Sequence, residues 1–111
     1  MAKDDYYVIV YQVLSYLYQC LKKGIDIDYS MLTPERLFGI NERYWLYIFE
    51  HMQQEGLIEG FDKKEYIGNQ VAYDLSNIEI TSHGIGYLLD NSFIAKARQF
   101  LMDTKSIVPF V

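Results

Sequence analysis

The side chains of this sequence that could do chemistry are few and far apart. Its two histidines, His51 and His83, are distant in the chain, and Glu55 follows His51 by four residues. A single His/Glu pair at this spacing is typical of a helix surface rather than of a metal site. Ser82 and His83 are neighbours, and neighbouring helical side chains point about 100° apart, so they form no catalytic dyad. We therefore predict no enzyme, no metal site and no cofactor.

Other short patterns resemble ligand loops without completing them. Asp26 and Asp28 have the spacing that begins a calcium-binding loop, but the glycine and the final glutamate of such a loop are missing. Gly84-Ile85-Gly86 lacks the third glycine of a dinucleotide loop and falls inside a predicted helix, so we expect Gly84 to allow close packing against a sheet. Cys20 is the only cysteine, which excludes an intrachain disulfide and favours a small buried side chain.

The clearest binding chemistry lies on one predicted helix and the turn after it. Five side chains there could contact nucleic acid: Arg43, Tyr47, Gln54, Lys63 and Lys64. The first three are predicted on the outward face of a helix over residues 42–55, and the two lysines in a polar turn over residues 62–65. In a winged helix, such a helix enters the major groove, where these side chain types contact base edges and phosphates. The pattern predicts binding to double-stranded DNA.

The charge of the same stretch argues against DNA. Residues 41–65 contain three basic and six acidic side chains, a net charge of −3, and the whole chain has a net charge of −5. Surfaces that read DNA are normally basic. The alternative is that the helix, which also carries Tyr44 and Leu46, docks on another protein, because tyrosine is enriched at protein interfaces. The sequence leaves both partners open.

The composition is that of a folded protein without a membrane anchor. The 111 residues are 50% hydrophobic and 16% aromatic, which suits one core. We predict a single domain over residues 1–111, with its core over residues 6–105 and an apolar tail over residues 106–111. The N-terminus is acidic where a signal peptide is basic, and no run reaches the roughly 18 apolar residues of a membrane span. With its single cysteine, the chain is expected to be cytoplasmic.

Capping and stop residues set the predicted order of elements. The order is a helix over 6–23, a strand over 25–28, a short helix over 34–39, a helix over 42–55, strands within 57–61, 66–73 and 78–80, and helices over 82–90 and 93–104. The signals are caps at Thr33, Asn41 and Thr81 and stops at Gly24 and Gly56. Either residues 62–65 or Gly68-Asn69 could form the tip of the hairpin. This order predicts an α+β winged helix, a helix-turn-helix plus an antiparallel hairpin wing, with a long N-terminal helix and a C-terminal helical extension.

The first helix has more apolar surface than one contact needs. At 100° per residue, one stripe contains Tyr6, Val10, Val13, Leu17 and Leu21. A second stripe beside it contains Tyr7, Tyr11, Leu14 and Tyr18. Either the helix packs on two sides within the chain, or the second stripe is the interface of a homodimer.

Two runs of the sequence resemble a known family. Residues 44–60 resemble the third helix and first wing strand of winged-helix proteins, and residues 80–88, Ile-Thr-Ser-His-Gly-Ile-Gly-Tyr-Leu, resemble the ITxxGxxYL exit from the wing. With Asp90-Asn91-Ser92 and the closing helix, residues 8–105 resemble the YjcQ family of small proteins from Gram-positive bacteria and their phages. The resemblance implies the winged-helix fold and a phage or prophage source, and it transfers no functional residues.

Overall fold

A computed structural model of the chain describes residues 1–66, 68 and 70–105, and its architecture is α+β. Its elements are α1 (Tyr6–Lys23), a 3-10 helix (Tyr29–Leu32), α2 (Glu42–Gln54), β1 (Ile58–Glu59), β2 (Asp62–Tyr66), β3 (Gln70–Asp74), β4 (Glu79–Ile80), α3 (Ser82–Asp90) and α4 (Ser92–Asp103). The predicted apolar tail, residues 106–111, lies outside the described residues.

α1 is the central helix of the fold. Every residue from Val8 to Leu17 is buried, because α1 packs against α2, α3, α4 and β4. Each fully buried valine, isoleucine or leucine contributes about 1.5–3 kcal/mol relative to an exposed one. Gln12 and Ser15 are buried as well, although their side chains are polar. The helix begins at Tyr6 and ends before Gly24 as predicted, and Gly24 is left-handed with φ 65°.

The second apolar stripe of α1 is mostly inside the chain. Tyr11 is 3% exposed and Leu14 is 0% exposed. Tyr7 and Tyr18 are partly buried and pack against the same core. Tyr11 and Leu14 therefore offer no area to a second copy, and packing within the chain accounts for the stripe. The predicted homodimer interface therefore cannot include Tyr11 and Leu14. Self-association of the chain through other residues stays a prediction.

The segment after α1 is not the predicted strand. Residues 25–28 pair with no strand, and their main chain forms hydrogen bonds with α1 instead. The Ile25 N–H donates to the Cys20 carbonyl (3.1 Å), and the Asp28 N–H donates to the Tyr16 hydroxyl (2.7 Å). Asp28 then caps the 3-10 helix by accepting from the Ser30 N–H at 3.0 Å. The prediction of a strand from the alternation of Ile and Asp is therefore wrong.

The predicted short helix at residues 34–39 is a pair of turns. The Leu37 N–H donates to the Thr33 carbonyl (3.1 Å) and the Gly39 N–H to the Pro34 carbonyl (3.0 Å). Phe38 and Gly39 are both left-handed, with φ of 62° and 68°, so a helix cannot continue through them. The prediction of a complete helix-turn-helix is therefore wrong in its first helix.

α2 and its cap are as predicted. The Asn41 side chain accepts from the Tyr44 N–H at 2.8 Å, which satisfies one of the free donors at the helix N-terminus. The inner face buries the four residues predicted for it: Trp45, Ile48, Phe49 and Met52. A helix followed by antiparallel strands is thus established, and it is the winged-helix-like part of the fold.

The strands form two short antiparallel pairs. β1 pairs with β4 through Ile58↔Ile80 and Glu59↔Glu79, and β2 pairs with β3 from Asp62↔Asp74 to Tyr66↔Gln70. Residues 62–65 are therefore strand, and the prediction of a polar turn there is wrong. The hairpin instead turns beyond Tyr66, on the Gly68 side. The Phe61 and Tyr73 rings stack with centroids 5.4 Å apart at its base, which favours the longer ladder.

α3 and α4 begin at the predicted caps. Thr81 accepts from the Gly84 N–H (2.9 Å), and Asn91 accepts from the Phe93 and Ile94 N–H groups (2.9 and 3.2 Å). Gly84 packs closely beside the β1–β4 pair, as expected, because a Cβ there would overlap the carbonyl oxygen of Leu57, the residue before β1. Some large apolar side chains of these helices are exposed: Leu89 is 67% exposed and Phe93 is 49% exposed.

Candidate interaction surface

α2 is held on its inner side by side-chain to main-chain hydrogen bonds. The Gln53 amide accepts from the Phe61 N–H and donates to the Phe61 carbonyl, both at 2.8 Å. The Trp45 indole N–H donates to the Leu32 carbonyl at 2.7 Å. These bonds fix α2 against the start of the β2–β3 hairpin and against the 3-10 helix. The opposite side of α2 is the part of the helix that a partner could reach.

The five predicted nucleic-acid contacts do not form one cluster. Arg43, Tyr47 and Gln54 are exposed on α2, and their spacing places them along one side of the helix. Lys63 and Lys64 are exposed on β2 rather than in a turn. Successive strand residues point to opposite faces, so the two lysines do not present their charges together.

The charge of Lys64 is already matched within the hairpin. Its ammonium lies 3.1 Å from the Asp74 carboxylate on the paired strand. Hydrogen bonds from Ser76, and then this ammonium, lower the pKa of Asp74 to about 2, so the carboxylate is charged at neutral pH. Both groups are solvent-exposed, and such pairs add little stability. For binding, however, Asp74 offsets the positive charge that Lys64 would offer to a phosphate.

A row of five rings runs across α4, α1 and α2. We call it the aromatic row, and its members are Phe93, Tyr7, Tyr6, Tyr47 and His51. Phe93 stacks on Tyr7 (ring centroids 4.9 Å apart), Tyr7 meets Tyr6 edge-on (5.2 Å), Tyr6 approaches Tyr47 (6.4 Å), and Tyr47 stacks on His51 (3.8 Å). Aromatic pairs in these geometries contribute about 0.5–1.5 kcal/mol each, so the row is held in place before any partner arrives. Tyr47 is 51% exposed and Phe93 is 49% exposed.

A carboxylate lies near the centre of the aromatic row, whereas at its α4 end the Lys96 ammonium lies 5.6 Å from the centroid of the Phe93 ring. Burial, and then the Glu55 carboxylate, raises the pKa of the Tyr6 phenol above its ordinary value of 10. Burial, then Tyr7 and then Glu55, does the same to the pKa of Tyr87. Negative charge therefore reaches the centre of the row from Glu55.

The same effect occurs at the N-terminal end of α2. The Tyr44 hydroxyl donates to the Asp4 carbonyl at 2.8 Å. Burial, and then the carboxylates of Asp4 and Asp5, raises the pKa of Tyr44. Carboxylates therefore lie near a tyrosine at each end of α2: Asp4 and Asp5 near Tyr44, and Glu55 near Tyr6.

Three carboxylates of α2 and its C-cap are open to a partner. In the part of the chain that the structure describes, no hydrogen bond or ion pair holds the side chains of Glu42, Glu50 or Glu55. Arg43 is the one basic side chain of α2 besides His51. The outward side of α2 therefore combines exposed rings with an excess of negative charge.

Sequence reasoning placed two members of the aromatic row, Tyr47 and His51, on a helix surface and offered Tyr7 as a contact of a homodimer. It did not predict that these rings meet Tyr6 and Phe93. The i, i+4 spacing of Tyr47 and His51 was a usable signal, since helical residues four apart are neighbours. The meeting of Tyr7 with Phe93 had no local signal, because it depends on how α4 packs on α1.

Two further kinds of site are a metal-binding cluster and a membrane-spanning helix. Among residues 1–66, 68 and 70–105, no three or more side chains of His, Cys, Asp or Glu come together in a way that could hold a metal. None of the helices described is both long and apolar enough to cross a bilayer. Cys20 is buried, as predicted.

These features define an α+β protein with a helix-and-hairpin unit and an acidic, aromatic outer surface. The family model of the YjcQ protein matches residues 11–107, and the chain belongs to that family. The resemblance stated from residues 8–105 is thereby confirmed. No curated protein and no solved structure matches the chain.

Proposed function

We propose that the chain is a protein-interaction module of winged-helix type that binds a cationic segment of another protein through the aromatic row. The observation that carries the proposal is the pairing of exposed rings with unmatched carboxylates on the outward side of α2. The proposal requires no catalytic group and no cofactor, and it places the protein in the cytoplasm.

The chemistry of the surface favours arginine in the partner. A guanidinium can lie flat on a tyrosine ring and donate to a carboxylate beside it, and each such ring contact contributes about 0.5–2 kcal/mol. Tyr47 presents a ring, Glu50 supplies a carboxylate on the same helix, and Glu55 supplies another at the C-cap of that helix. Because the rings already contact one another, binding orders few side chains and costs little entropy.

The same charges oppose a nucleic-acid partner. Phosphates gain affinity from lysine and arginine through the release of counterions, and carboxylates at the interface repel them. Arg43 faces an excess of acid on its own helix, and Asp74 offsets Lys64 on the hairpin. The helix-and-hairpin unit would then act as a scaffold rather than as a reader of DNA.

Fluorescence polarisation with a fluorescein-labelled nonapeptide of arginine tests the proposal. We expect binding that Tyr47→Ala and Glu55→Gln each weaken at least about fivefold, which is the loss of roughly one cation–π or ionic contact. The matched control is Glu35→Gln, an exposed carboxylate outside the aromatic row. An equal loss in Glu55→Gln and in this control would show general attraction to an acidic protein and would sink the proposal. A nonapeptide of lysine should bind more weakly than the arginine peptide.

A second candidate function, DNA binding, is favoured by one arrangement. The Gln53 side chain forms hydrogen bonds with Phe61 and so fixes α2 against the start of the hairpin. The exposed side of α2, with Arg43 and Gln54, is therefore held beside the hairpin that carries Lys63. Fluorescence anisotropy with a generic duplex at about 50 mM salt, where phosphate contacts are strongest, measures this activity. Binding that Arg43→Ala weakens and added salt abolishes would support DNA as the partner. The absence of binding at that salt concentration would exclude it.

A further inference from the structure

A groove of about 980 Å³ lies at the other end of α1, beside β4. One wall is the last turn of α1 and the segment after it, Leu17 to Ile27, and the other wall is residues 76–80. Glu79 and Ile80 both line it, although their side chains point to opposite faces of the strand. The groove therefore runs along the edge of β4 rather than over one face of the sheet.

The edge of β4 that faces the groove has main-chain groups without a strand partner. The Thr81 N–H donates to the Leu57 carbonyl at 3.1 Å, and Glu79 is paired with Glu59. In an antiparallel ladder, the hydrogen-bonded pairs alternate with pairs whose N–H and C=O groups point away from each other. Ile80 lies between Glu79 and Thr81, so its N–H and C=O point away from β1. They point to the edge along which the groove runs.

The opposite wall contains the segment that was predicted as a strand. It is fixed at both ends, by the Ile25 bond to Cys20 and by the Asp28 bond to the Tyr16 hydroxyl. Between these ends, in the described structure, no hydrogen bond involves the N–H of Asp26 or of Ile27. The Tyr29 hydroxyl donates to the Ser76 carbonyl at 3.0 Å and so joins the two walls.

We propose that this groove takes an extended peptide of a partner protein, which adds as a strand to the free edge of β4. Only a peptide main chain offers donors and acceptors at the spacing of a strand edge, which is the basis of recognition by strand addition. The charged side chains among those lining the groove are Asp26 and Glu79, both acidic. Leu21 is 59% exposed and Ile25 is 57% exposed at the rim. The peptide is therefore one that alternates apolar and basic residues.

The groove and the aromatic row are separate sites. The row includes Tyr6 and Tyr7 in the first turn of α1, and the groove begins at Leu17 and includes Gly24. A helix rises about 1.5 Å per residue, so Tyr6 and Gly24 are roughly 27 Å apart along α1. Both sites favour a basic peptide, but the row would hold it through rings and carboxylates, whereas the groove would hold it mainly through main-chain hydrogen bonds. One can therefore fail without the other.

The test is a titration of the full-length, isotope-labelled chain with a synthetic hexapeptide of alternating valine and lysine, followed by amide NMR. We expect the amide signals of Ile80, Asp26 and Ile27 to shift, with a Kd below about 1 mM. A matched peptide with N-methylated valines has the same side chains but lacks donors along one edge. It should bind at least about tenfold more weakly, since the hydrogen bond to the Ile80 carbonyl is lost and the methyl groups crowd the strand edge. A hexapeptide of valine and glutamate should also bind more weakly.

Variants of the chain localise the effect. The double variant Asp26→Lys/Glu79→Lys changes two exposed side chains and should weaken the valine–lysine peptide at least about tenfold, whereas Tyr47→Ala should leave it unchanged. The proposal is overturned if no amide shifts up to millimolar peptide, if the N-methylated peptide binds equally well, or if the shifts fall on the aromatic row. It is also overturned if the groove amides shift with the concentration of the chain alone, which would mean that a second copy fills the groove.

Discussion

The two sides of β4 differ sharply in how they are used. On the side of α3, the backbones are so close that Gly84 has no room for a Cβ beside the Leu57 carbonyl. On its other edge, a groove of about 980 Å³ separates β4 from the segment after α1. A strand of two residues has little stability of its own, so β4 needs the packing against β1 and α3 to hold it in place. We call this the closed side of β4, and the edge beside the groove its open side. Because the closed side holds β4, the open side can stay free for binding.

Gly84→Ala should lower the free energy of unfolding more than the other proposed substitutions, because Gly84 lies on the closed side of β4. The new methyl group would overlap the main chain of Leu57, the residue before β1, which cannot move aside as a flexible side chain can. We expect the free energy of unfolding to fall by about 3 kcal/mol, as in overpacked cores. Urea denaturation followed by circular dichroism measures the loss.

Gly86→Ala is the matched control for that substitution. Gly86 is also in α3, is exposed, and has no atom within 4 Å of an added Cβ. Alanine should stabilise the helix there by about 0.5–1 kcal/mol, because glycine loses more conformational entropy on folding. If Gly84→Ala stabilised the chain as Gly86→Ala does, the contact with Leu57 would not be what makes Gly84 necessary, because helix propensity favours alanine at both positions.

Gln53→Ala should have the next largest effect, since it loosens the hairpin from α2. The substitution removes two hydrogen bonds and leaves the partly buried N–H and C=O of Phe61 without their partner. We expect a loss of about 2 kcal/mol in the free energy of unfolding. Gln54→Ala removes an exposed amide from the neighbouring position and should change stability by less than about 0.5 kcal/mol. Equal effects of the two substitutions would contradict the role of the Gln53 bonds.

The boundaries of the helices could be predicted from the sequence because local residues set them. Asn41, Thr81 and Asn91 each accept main-chain hydrogen bonds at a helix start, and Gly24 ends α1 in a left-handed conformation. Such signals act within one turn, so one sequence is enough to find them.

The parts that depend on tertiary contacts could not be predicted in the same way. Charged residues 62–65 suggested a turn, yet the ladder extends through them to Tyr66, on a base of stacked rings. Residues 25–28 alternate as a strand does, but whether they pair depends on the position of β4. Phe93 suited the inward face of α4 by its period, and its stacking on Tyr7 at the surface follows from the packing of α4 on α1.

The aromatic row shows the same limit for the candidate site. Its carboxylates are visible in the sequence as net charge, and Tyr47 as an outward residue. That Glu55 lies close enough to raise the pKa of Tyr6 follows only from the contact between α1 and α2. Charge and residue type could therefore be predicted, whereas the arrangement that makes them one surface could not.

A smaller effect is expected from the charge of Asp28, which shapes the open side. Hydrogen bonds from the hydroxyl and N–H of Ser30 lower the pKa of Asp28 in the folded chain. A carboxyl whose pKa is lower in the folded than in the unfolded state stabilises the fold above its unfolded pKa, about 3.9, and this contribution is lost as the pH falls below it. We expect the Asp28 carboxyl carbon to titrate below pH 3.9 by NMR. A midpoint at or above that pH would contradict the cap.

Asp28→Asn isolates that contribution. Asparagine keeps an oxygen that can accept from Ser30 and removes the charge. The difference in stability between the original chain and this variant should therefore shrink as the pH is lowered from about 5 to about 2. A difference that stays constant with pH would mean that the carboxylate charge plays no part in holding the segment beside the groove.

Ile25→Lys should have the smallest effect on stability and is the sharpest test of the open side. Ile25 is 57% exposed at the rim of the groove, so the free energy of unfolding should change by less than about 0.5 kcal/mol. The affinity for the valine–lysine hexapeptide should nevertheless fall at least about fivefold, because an apolar contact is replaced by a like charge. Urea denaturation and the peptide titration measure the two quantities on the same sample. A loss of stability above 1 kcal/mol would mean that Ile25 is covered in solution, and the groove beside β4 would then be part of the core rather than a place for a partner strand.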